Sequence, residues 1–466
     1  METIEAIETI ETIESMETIE TMETINYELS TMNYKVAFFY ENSGRVGFNF
    51  TTIAQGNPGI GGGAYMFYLV AWLLATRHNG ISVTLLNTHK GQFPPELKVA
   101  EVNDMEDAAR YCQENGIEHL VVKHSDSNLQ HRELFNSTQG PKLIVWCHNF
   151  ANGRQLSFYA KSKAVERLIC VGSEQMDRYR DHEAFAKSDY IFNCVVAPTR
   201  QQHQTVQENN TYANNSVVYI GAVIPSKGLH LLTAAWPKVK AAVPDAHLYI
   251  IGSGALYGGN PQLGPWNLAE PAYEKRVLNP ILVNGKLMEG VHLLGVLGKE
   301  KYDVLSQMRV GVPNPSGETE TFCISAVEMQ LMGARIVSKQ CPGYLDTVRN
   351  GVLVKKNSDL ADAIIQELKD PRNKKETSLA HNHEGGLFHD FSTSSVAHDW
   401  EQLITHAIPE GRHLHPILPL RNPRFESKWL KERLRQCKQR LPWLYRMLPM
   451  VDRWYELRRA IERRRS

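Results

Sequence analysis

Short β-branched runs alternate with helical stretches along one half of the chain, and the same alternation restarts along the other. This limits the fold more than anything else in the sequence. Val36–Tyr40, Ile81–Leu86, Leu120–Val122, Leu143–Cys147, Leu168–Val171 and Ile191–Cys194 read as strands. A glycine-rich loop at Gly59–Gly63 and an apolar helix over Ala64–Thr76 lie between the first two. Such runs are apolar without alternation, so both faces of their sheet must be covered, and the intervening helices supply the cover. Residues 199–215 then lose all apolar periodicity and read as a linker. Strands resume at Val217–Ile220, His247–Ile251, Val291–Leu294, Val310–Val312 and Arg335–Ser338, with helices over Ser226–Val239 and Phe322–Met332. The expectation is an α/β protein of two doubly wound domains, 33–198 and 216–390, facing a central cleft. A crossover helix and connector follow over 391–420. Ligands of such sheets bind beyond the carboxyl ends of the strands.

Charge divides the chain differently. The 466 residues hold 51 basic and 51 acidic side chains, a net of zero. Residues 1–30 nevertheless contain nine Glu and no base, whereas residues 421–466 contain fifteen Lys/Arg against five Asp/Glu. The neutral body argues against nucleic acid as a partner. A Glu-Thr-Ile-like triplet fills most of residues 1–32, and a period of three buries no face of a helix or strand. This acidic low-complexity segment is expected to be disordered, and Met32, just before the first strand, is a second candidate start. Seven dispersed cysteines with no C-x-x-C pair exclude a disulfide framework or a zinc site and fit a reducing cytoplasm. No basic start followed by an apolar run marks a secretory signal. The longest nearly apolar stretch, Ala64 to Ala75, falls short of the ~20 residues of a membrane span.

Four features carry chemistry. Glu320 and Glu328 flank the start of a predicted helix with seven residues between them. In an ideal helix that spacing puts them ~12 Å apart and within ~80° of one face, which suits two hydroxyl-bearing rings joined by a diphosphate. The free N–H groups of the helix start would face the phosphates, and the plainer reading is two solvated glutamates. Lys227, in Gly221-Ala222-Val223-Ile224-Pro225-Ser226-Lys227-Gly228, is expected in the first helical turn with Ser226 as N-cap. A cation there opposes the helix dipole and suggests a bound anion, beside the plainer reading of a solvated lysine. The loop at Gly61 and Gly62 can present backbone amides to phosphate. It also fits G-x-G-x-x-A at Gly59, Gly61 and Ala64, but eighteen residues separate it from Tyr40, so a nicotinamide-dependent dehydrogenase is disfavoured. His148 follows a strand at its carboxyl end, where it acts as an acid–base candidate or as a structural imidazole.

In this order the features resemble the retaining, nucleotide-sugar-dependent glycosyltransferases of family 4, which have the GT-B fold of two Rossmann-like domains. The landmarks are Gly61-Gly62, His148, Ile191-Phe192-Asn193, Lys227-Gly228, Ile250 to Gly254, Val291 to Gly295, the Glu320/Glu328 pair and Pro342-Gly343-Tyr344, covering most of residues 35–408. The resemblance implies sugar transfer from a nucleotide-diphosphate donor to an acceptor hydroxyl of a glycan or glycolipid, in cell-surface polysaccharide or glycolipid synthesis. No metal and no cofactor are implied. It implies His148, Glu320 and Lys227 as catalytic. Glu320 would contact the donor sugar, Glu328 the ribose, Lys227 the departing diphosphate, and the amides of Phe322 and Cys323 the phosphates. One departure stands out: Ala222 occupies a position usually basic, and Arg45 or Arg154 is the candidate substitute. A non-catalytic sugar-nucleotide-binding scaffold of the same fold is the alternative reading.

The basic end supports two readings. Leu430, Leu434, Cys437, Leu441, Leu444, Leu448 and Val451 form a 4-3 apolar seam, interrupted by Pro442 and Pro449 and accompanied by Trp429, Trp443 and Trp454. Either the seam packs on the body, or residues 421–466 lie on an anionic membrane surface. The second reading makes this a cytoplasmic protein peripheral to the inner face of the membrane.

Overall fold

The computed structural model describes residues 34–441, apart from 78–79, 197–214, 259–260, 371–387, 418 and 421. The repeat segment 1–32, most of the 199–215 stretch, and residues 442–466 with Trp443 and Trp454 lie outside the described residues.

Seven strands form the first sheet: β1 (Tyr34–Tyr40), β2 (Ile81–Asn87), β3 (Lys98–Glu101), β4 (His119–Lys123), β5 (Lys142–Cys147), β6 (Val165–Cys170) and β7 (Ser188–Tyr190). All pair in parallel, in the order β3-β2-β1-β4-β5-β6-β7. The second sheet holds β8 (Asn215–Ile220) and β9 (Ala246–Ile251). After a small antiparallel hairpin, β10 (Leu282–Val283) and β11 (Lys286–Leu287), it continues with β12 (Val291–Gly295), β13 (Val310–Gly311), β14 (Arg335–Lys339) and β15 (Gly351–Val354). Its order is β12-β9-β8-β13-β14-β15, again parallel throughout. Two doubly wound, Rossmann-like α/β domains therefore face one another, as the repeated alternation predicts.

The helix Gly62–Thr76 is apolar nearly all round, because it is enclosed between the first sheet and a second helix, Thr393–Thr405. Trp400 of that second helix meets Trp146 at 4.7 Å and Phe38 at 5.6 Å between ring centroids. The segment that follows the second domain thus completes the core of the first.

Four local expectations are corrected. Ile191–Cys194 is not a strand; β7 ends at Tyr190, and Val195 instead donates to Phe391 O at 2.9 Å, so these residues are buried by the returning chain. β3 holds only Val99 and Ala100 as apolar residues between Lys98 and Glu101, being an edge strand with exposed side chains, and it escapes a search for apolar runs. The helix expected over Ser226–Val239 begins at Leu229, after a 3-10 turn at Pro225–Lys227. The helix expected over Phe322–Met332 is confined to Ile324–Leu331, because Cys323 sits at φ 71°.

The basic end is also corrected. Helix Lys428–Arg440 packs on the first domain chiefly through lysines; of the apolar seam Leu430 and Leu434 are half-buried, and Leu444, Leu448 and Val451 lie outside the described residues. Lys428, Lys431 and Lys438 are buried, whereas Cys437 and Leu441 are exposed. The reason lies across the interface. Lys428 Nζ bonds Glu174 and lies 3.2 Å from Asp177 Oδ2, Lys431 Nζ donates to Arg178 O at 2.8 Å, and Lys438 Nζ lies 3.8 Å from Asp181 Oδ2. Buried carboxylates require cations, and that requirement outweighs burial of a few apolar side chains. No described helix is long and apolar enough to cross a membrane.

Candidate functional site

A cavity of ≈ 720 Å³ opens between the two sheets, at the carboxyl ends of their strands. Gly61, Gly62, His148, Lys227, Glu320, Phe322, Cys323 and Glu328 all line it, so these eight residues singled out from the sequence meet at one place. Arg45 lines it too, whereas Arg154 is exposed and is not part of its wall. Arg154 is therefore no substitute for the side chain missing at Ala222, which is itself buried, its carbonyl accepting from Tyr219 Oη at 2.9 Å.

Lys227 and Glu320 form the centre of the second-domain wall. Lys227 Nζ lies 2.8 Å from Glu320 Oε2, and Asn314 Nδ2 donates to the same oxygen at 2.8 Å. The loop bearing Asn314 is tied to the Lys227 turn by Ser316 Oγ, which donates to Ser226 O at 2.7 Å. This close approach is why residue 228 is glycine: at φ +69°, a Cβ there would meet Ser316 N at 2.7 Å. Gly252, at φ +140°, is the parallel case at the sheet edge of the cavity, where a Cβ would overlap Gly221 O at 1.8 Å. Burial works against the Lys227 ammonium, yet the Glu320 carboxylate outweighs it and the pKa is raised, so Lys227 is a cation at neutral pH. Lys227 does not occupy a helical turn, so the dipole argument for it lapses; its position is set by the 3-10 turn.

Glu328 is buried in the cavity floor, where Lys301 Nζ approaches Oε1 at 2.6 Å and Tyr302 Oη at 3.1 Å. Only the steps from Ile324 to Glu328 are helical, so the ideal-helix separation of the two glutamates does not hold. Phe322 is buried against Phe391 and Phe192, which leaves its backbone as the part that can meet a ligand. Burial and the Glu320 charge push the Cys323 thiol up to about 12, so it is not a nucleophile.

The first-domain wall meets this half closely. Gly61 caps the helix Gly62–Thr76, and a Cβ there would lie 2.9 Å from the Tyr257 ring. Gly62 faces Ile324 in the same way, and Gly63 faces His148. Thr321 Oγ1 donates to His148 O at 2.7 Å, a hydrogen bond between the domains. A second link comes from Asp346, whose Oδ1 accepts from Ser173 Oγ at 2.6 Å and whose Oδ2 accepts from Glu174 N at 2.9 Å. Burial, assisted by Lys123, pushes His148 down to about 3, so the ring is neutral. Neither ring nitrogen nor Asn193 Oδ1, also in the wall, makes a hydrogen bond of ordinary length and angle among the described residues, but the Asn193 side chain is near enough to act on the ring.

Sequence reasoning missed Asn314, Lys301, Tyr302 and Thr321. Asn314 stands in a Pro-Asn-Pro run just before the glutamate pair, which is a readable sign of a built loop. Lys301 and Tyr302 lie some 27 residues before their partner, and nothing local marks them. Among the described residues no group of three His, Cys, Asp or Glu can hold a metal ion.

Residues 214–370 match the protein family described as glycosyl transferases group 1, so a domain of that type spans most of the second sheet and its helices. No curated protein matches the chain. Among solved structures the chain is similar to sucrose-phosphate synthase from Thermosynechococcus elongatus, with a TM-score of 0.56 and 16% identity over 79% of this chain and 98% of that one. It is similar to a glycosyltransferase from Rickettsia africae (TM-score 0.58, 13% identity, 80% and 98%). It is also similar to Anabaena HepE, solved in complex with UDP (TM-score 0.54, 13% identity, 80% and 99%). At these identities the likeness shows the fold, which is GT-B.

Proposed function

We propose that the chain transfers a sugar, of hexose type, from a nucleotide-diphosphate donor to an acceptor hydroxyl of a glycan or glycolipid, with retention and without a metal. The observation that carries this reading is the Lys227–Glu320 pair, set beside a helix start in the cavity between two Rossmann-like domains. The group 1 family match over 214–370 supports it.

The donor diphosphate would lie against Lys227 and the amides around Phe322 and Cys323. There a cation and free backbone donors are fixed before the reaction and stabilise the charge that grows on the departing oxygen. Glu320 keeps Lys227 in place through Oε2, which leaves Oε1 for a hydroxyl of the donor sugar. Glu328 offers Oε2 to the ribose, since its Oε1 is occupied by Lys301 and Tyr302. His148, neutral and close to Asn193, can accept from one hydroxyl and donate to another.

In the step itself the acceptor oxygen bonds to the anomeric carbon, the bond from that carbon to the diphosphate breaks, and the acceptor proton passes to the nucleotide diphosphate. Retention is what the resemblance of the Glu320/Glu328 arrangement to the retaining glycosyltransferases of family 4 implies. Cell-surface polysaccharide or glycolipid synthesis is the proposed setting.

Donor hydrolysis tested with UDP-, GDP- and ADP-sugars decides the matter; UDP comes first because HepE was solved with it. Turnover that vanishes in Glu320→Gln while nucleotide binding persists supports transfer. Nucleotide binding with no turnover under any acceptor would identify a scaffold instead.

A further inference from the structure

The charges around the cavity do not balance, and the imbalance lies on one side. Four basic side chains line it, Arg45, Lys123, Lys227 and Lys301, against two carboxylates, Glu320 and Glu328. Both carboxylates belong to the second domain and each already holds a lysine of that domain. Among the described residues Arg45 and Lys123, both of the first domain, form no ion pair.

Both of these cations act on Tyr40. Lys123 ends β4 with Nζ 5.6 Å from the Tyr40 ring centroid, and Arg45, whose guanidinium lies over Phe48, acts electrostatically on the same tyrosine. Arg45 spends one N–H on Leu256 O across the cleft and keeps the rest of its donors. Glu41, near enough to favour the Lys123 ammonium, is exposed and is not part of the cavity wall. Burial depresses both cations, so each is held charged at a cost that a bound anion would offset. Lys123 also acts on His148, beside which the Asn193 side chain lies. Lys227, in contrast, is held by Glu320 on the second-domain wall, whereas Arg45 and Lys123 belong to the first-domain wall.

We propose that the first-domain site binds a phosphate group carried by the acceptor, with Lys123 and Arg45 as its counter-charges and His148 beside the hydroxyl that reacts. This deepens the transferase reading and rests on it. An ammonium and a guanidinium together supply two positive charges, which match a phosphate monoester better than a single carboxylate. A neutral sugar acceptor would leave both half-buried cations without a counter-charge in the cavity.

The test uses the full chain saturated with UDP, GDP or ADP, whichever binds, so that the donor site is filled. Glucose 6-phosphate and glycerol 3-phosphate are titrated beside glucose and glycerol, and vesicles of phosphatidylcholine with and without phosphatidic acid are tested in parallel. The expected result is that phosphorylated probes bind and their neutral counterparts do not. Lys123→Gln and Arg45→Gln should each weaken that binding by about tenfold or more, as loss of a charge-assisted contact does, and Lys123→Gln should leave nucleotide affinity and melting temperature unchanged. Binding of the soluble esters points to a soluble acceptor, and a Lys123-dependent preference for phosphatidic acid points to a lipid one. Equal binding of neutral and phosphorylated probes overturns the proposal, as does a loss of nucleotide affinity in Lys123→Gln. If no nucleotide binds at all, the transferase reading itself falls.

Discussion

Lys301 lies 2.6 Å from Glu328, and both are buried, so the carboxylate assigned to the ribose is already one half of an internal ion pair. Removing one partner of such a pair leaves the other charged without compensation. Glu328→Ala is therefore expected to lower stability by ~3–5 kcal/mol, and any loss of nucleotide binding in it would be ambiguous. Glu328→Gln keeps the shape and a hydrogen-bond acceptor. It should unfold at a denaturant midpoint closer to the parent while binding nucleotide more weakly, measured by calorimetry on the folded protein.

Lys227→Gln is expected to reduce turnover by ~10²–10³-fold, the effect of removing one fixed electrostatic contact from a transition state. Donor KM should change far less than kcat, because the ammonium is needed most when the diphosphate departs. Initial rates at several donor concentrations separate the two. A rise in KM alone would reduce Lys227 to a binding residue.

The domain contact around Asp346 should be sensitive to pH. Burial raises Asp346 to about 6 and Glu174 to about 7, from ordinary values of 3.8 and 4.5. Lys428 opposes the rise for both, whereas Asp177 reinforces it. Folded protein thus retains protons that the unfolded chain has already lost. Stability from these groups is fully present below about pH 4 and declines as pH rises through about 7. Asp346→Asn removes one titrating group, so the fall in urea midpoint between pH 5 and pH 8 should shrink by the equivalent of ~1–3 kcal/mol. An unchanged slope would exclude Asp346 as its source.

Two truncations divide the basic end. Ending the chain after Leu441 keeps the Lys428–Glu174 contact and should leave the melting temperature near that of the parent. Ending it before Pro423 strands Glu174, Asp177 and Asp181 without their lysines and should lower the melting temperature by several degrees. If the protein binds vesicles of anionic lipid, that binding should be lost in the first truncation already. Retention after Leu441 is removed from its C-terminal neighbours would leave the membrane reading without support in 442–466.

Gly228→Ala should cost ~1–3 kcal/mol, since alanine resists the left-handed conformation and its methyl group would press on Ser316. Because that contact aligns Lys227 with Glu320, the variant should also lose donor turnover at temperatures where it remains folded.

The architecture was legible because alternating strands and helices leave a periodic trace, and the site was legible wherever the chemistry occupies consecutive residues. Glu320, Lys227 and the Gly61–Gly62 loop are of this kind. What escaped were partners supplied from afar: Lys301 for Glu328, Thr321 for His148, Asp346 for Glu174. Such pairs depend on how elements meet in space, and no local pattern records that. The basic end misled in an instructive way. Its apolar seam has the right period, but the acidic patch at Glu174, Asp177 and Asp181 is spread over another part of the chain, and that patch selects the lysine face instead.

The hydrogen bond from Thr321 to the carbonyl of His148 joins the two walls of the cavity, and the Asp346 bonds to Ser173 and Glu174 join the same two domains elsewhere. Together these contacts fix the width of the cleft in this structure. Any widening of it would have to break them, so the gap between the walls is set by a few polar side chains and is tunable by single substitutions far from Lys227 and Glu320.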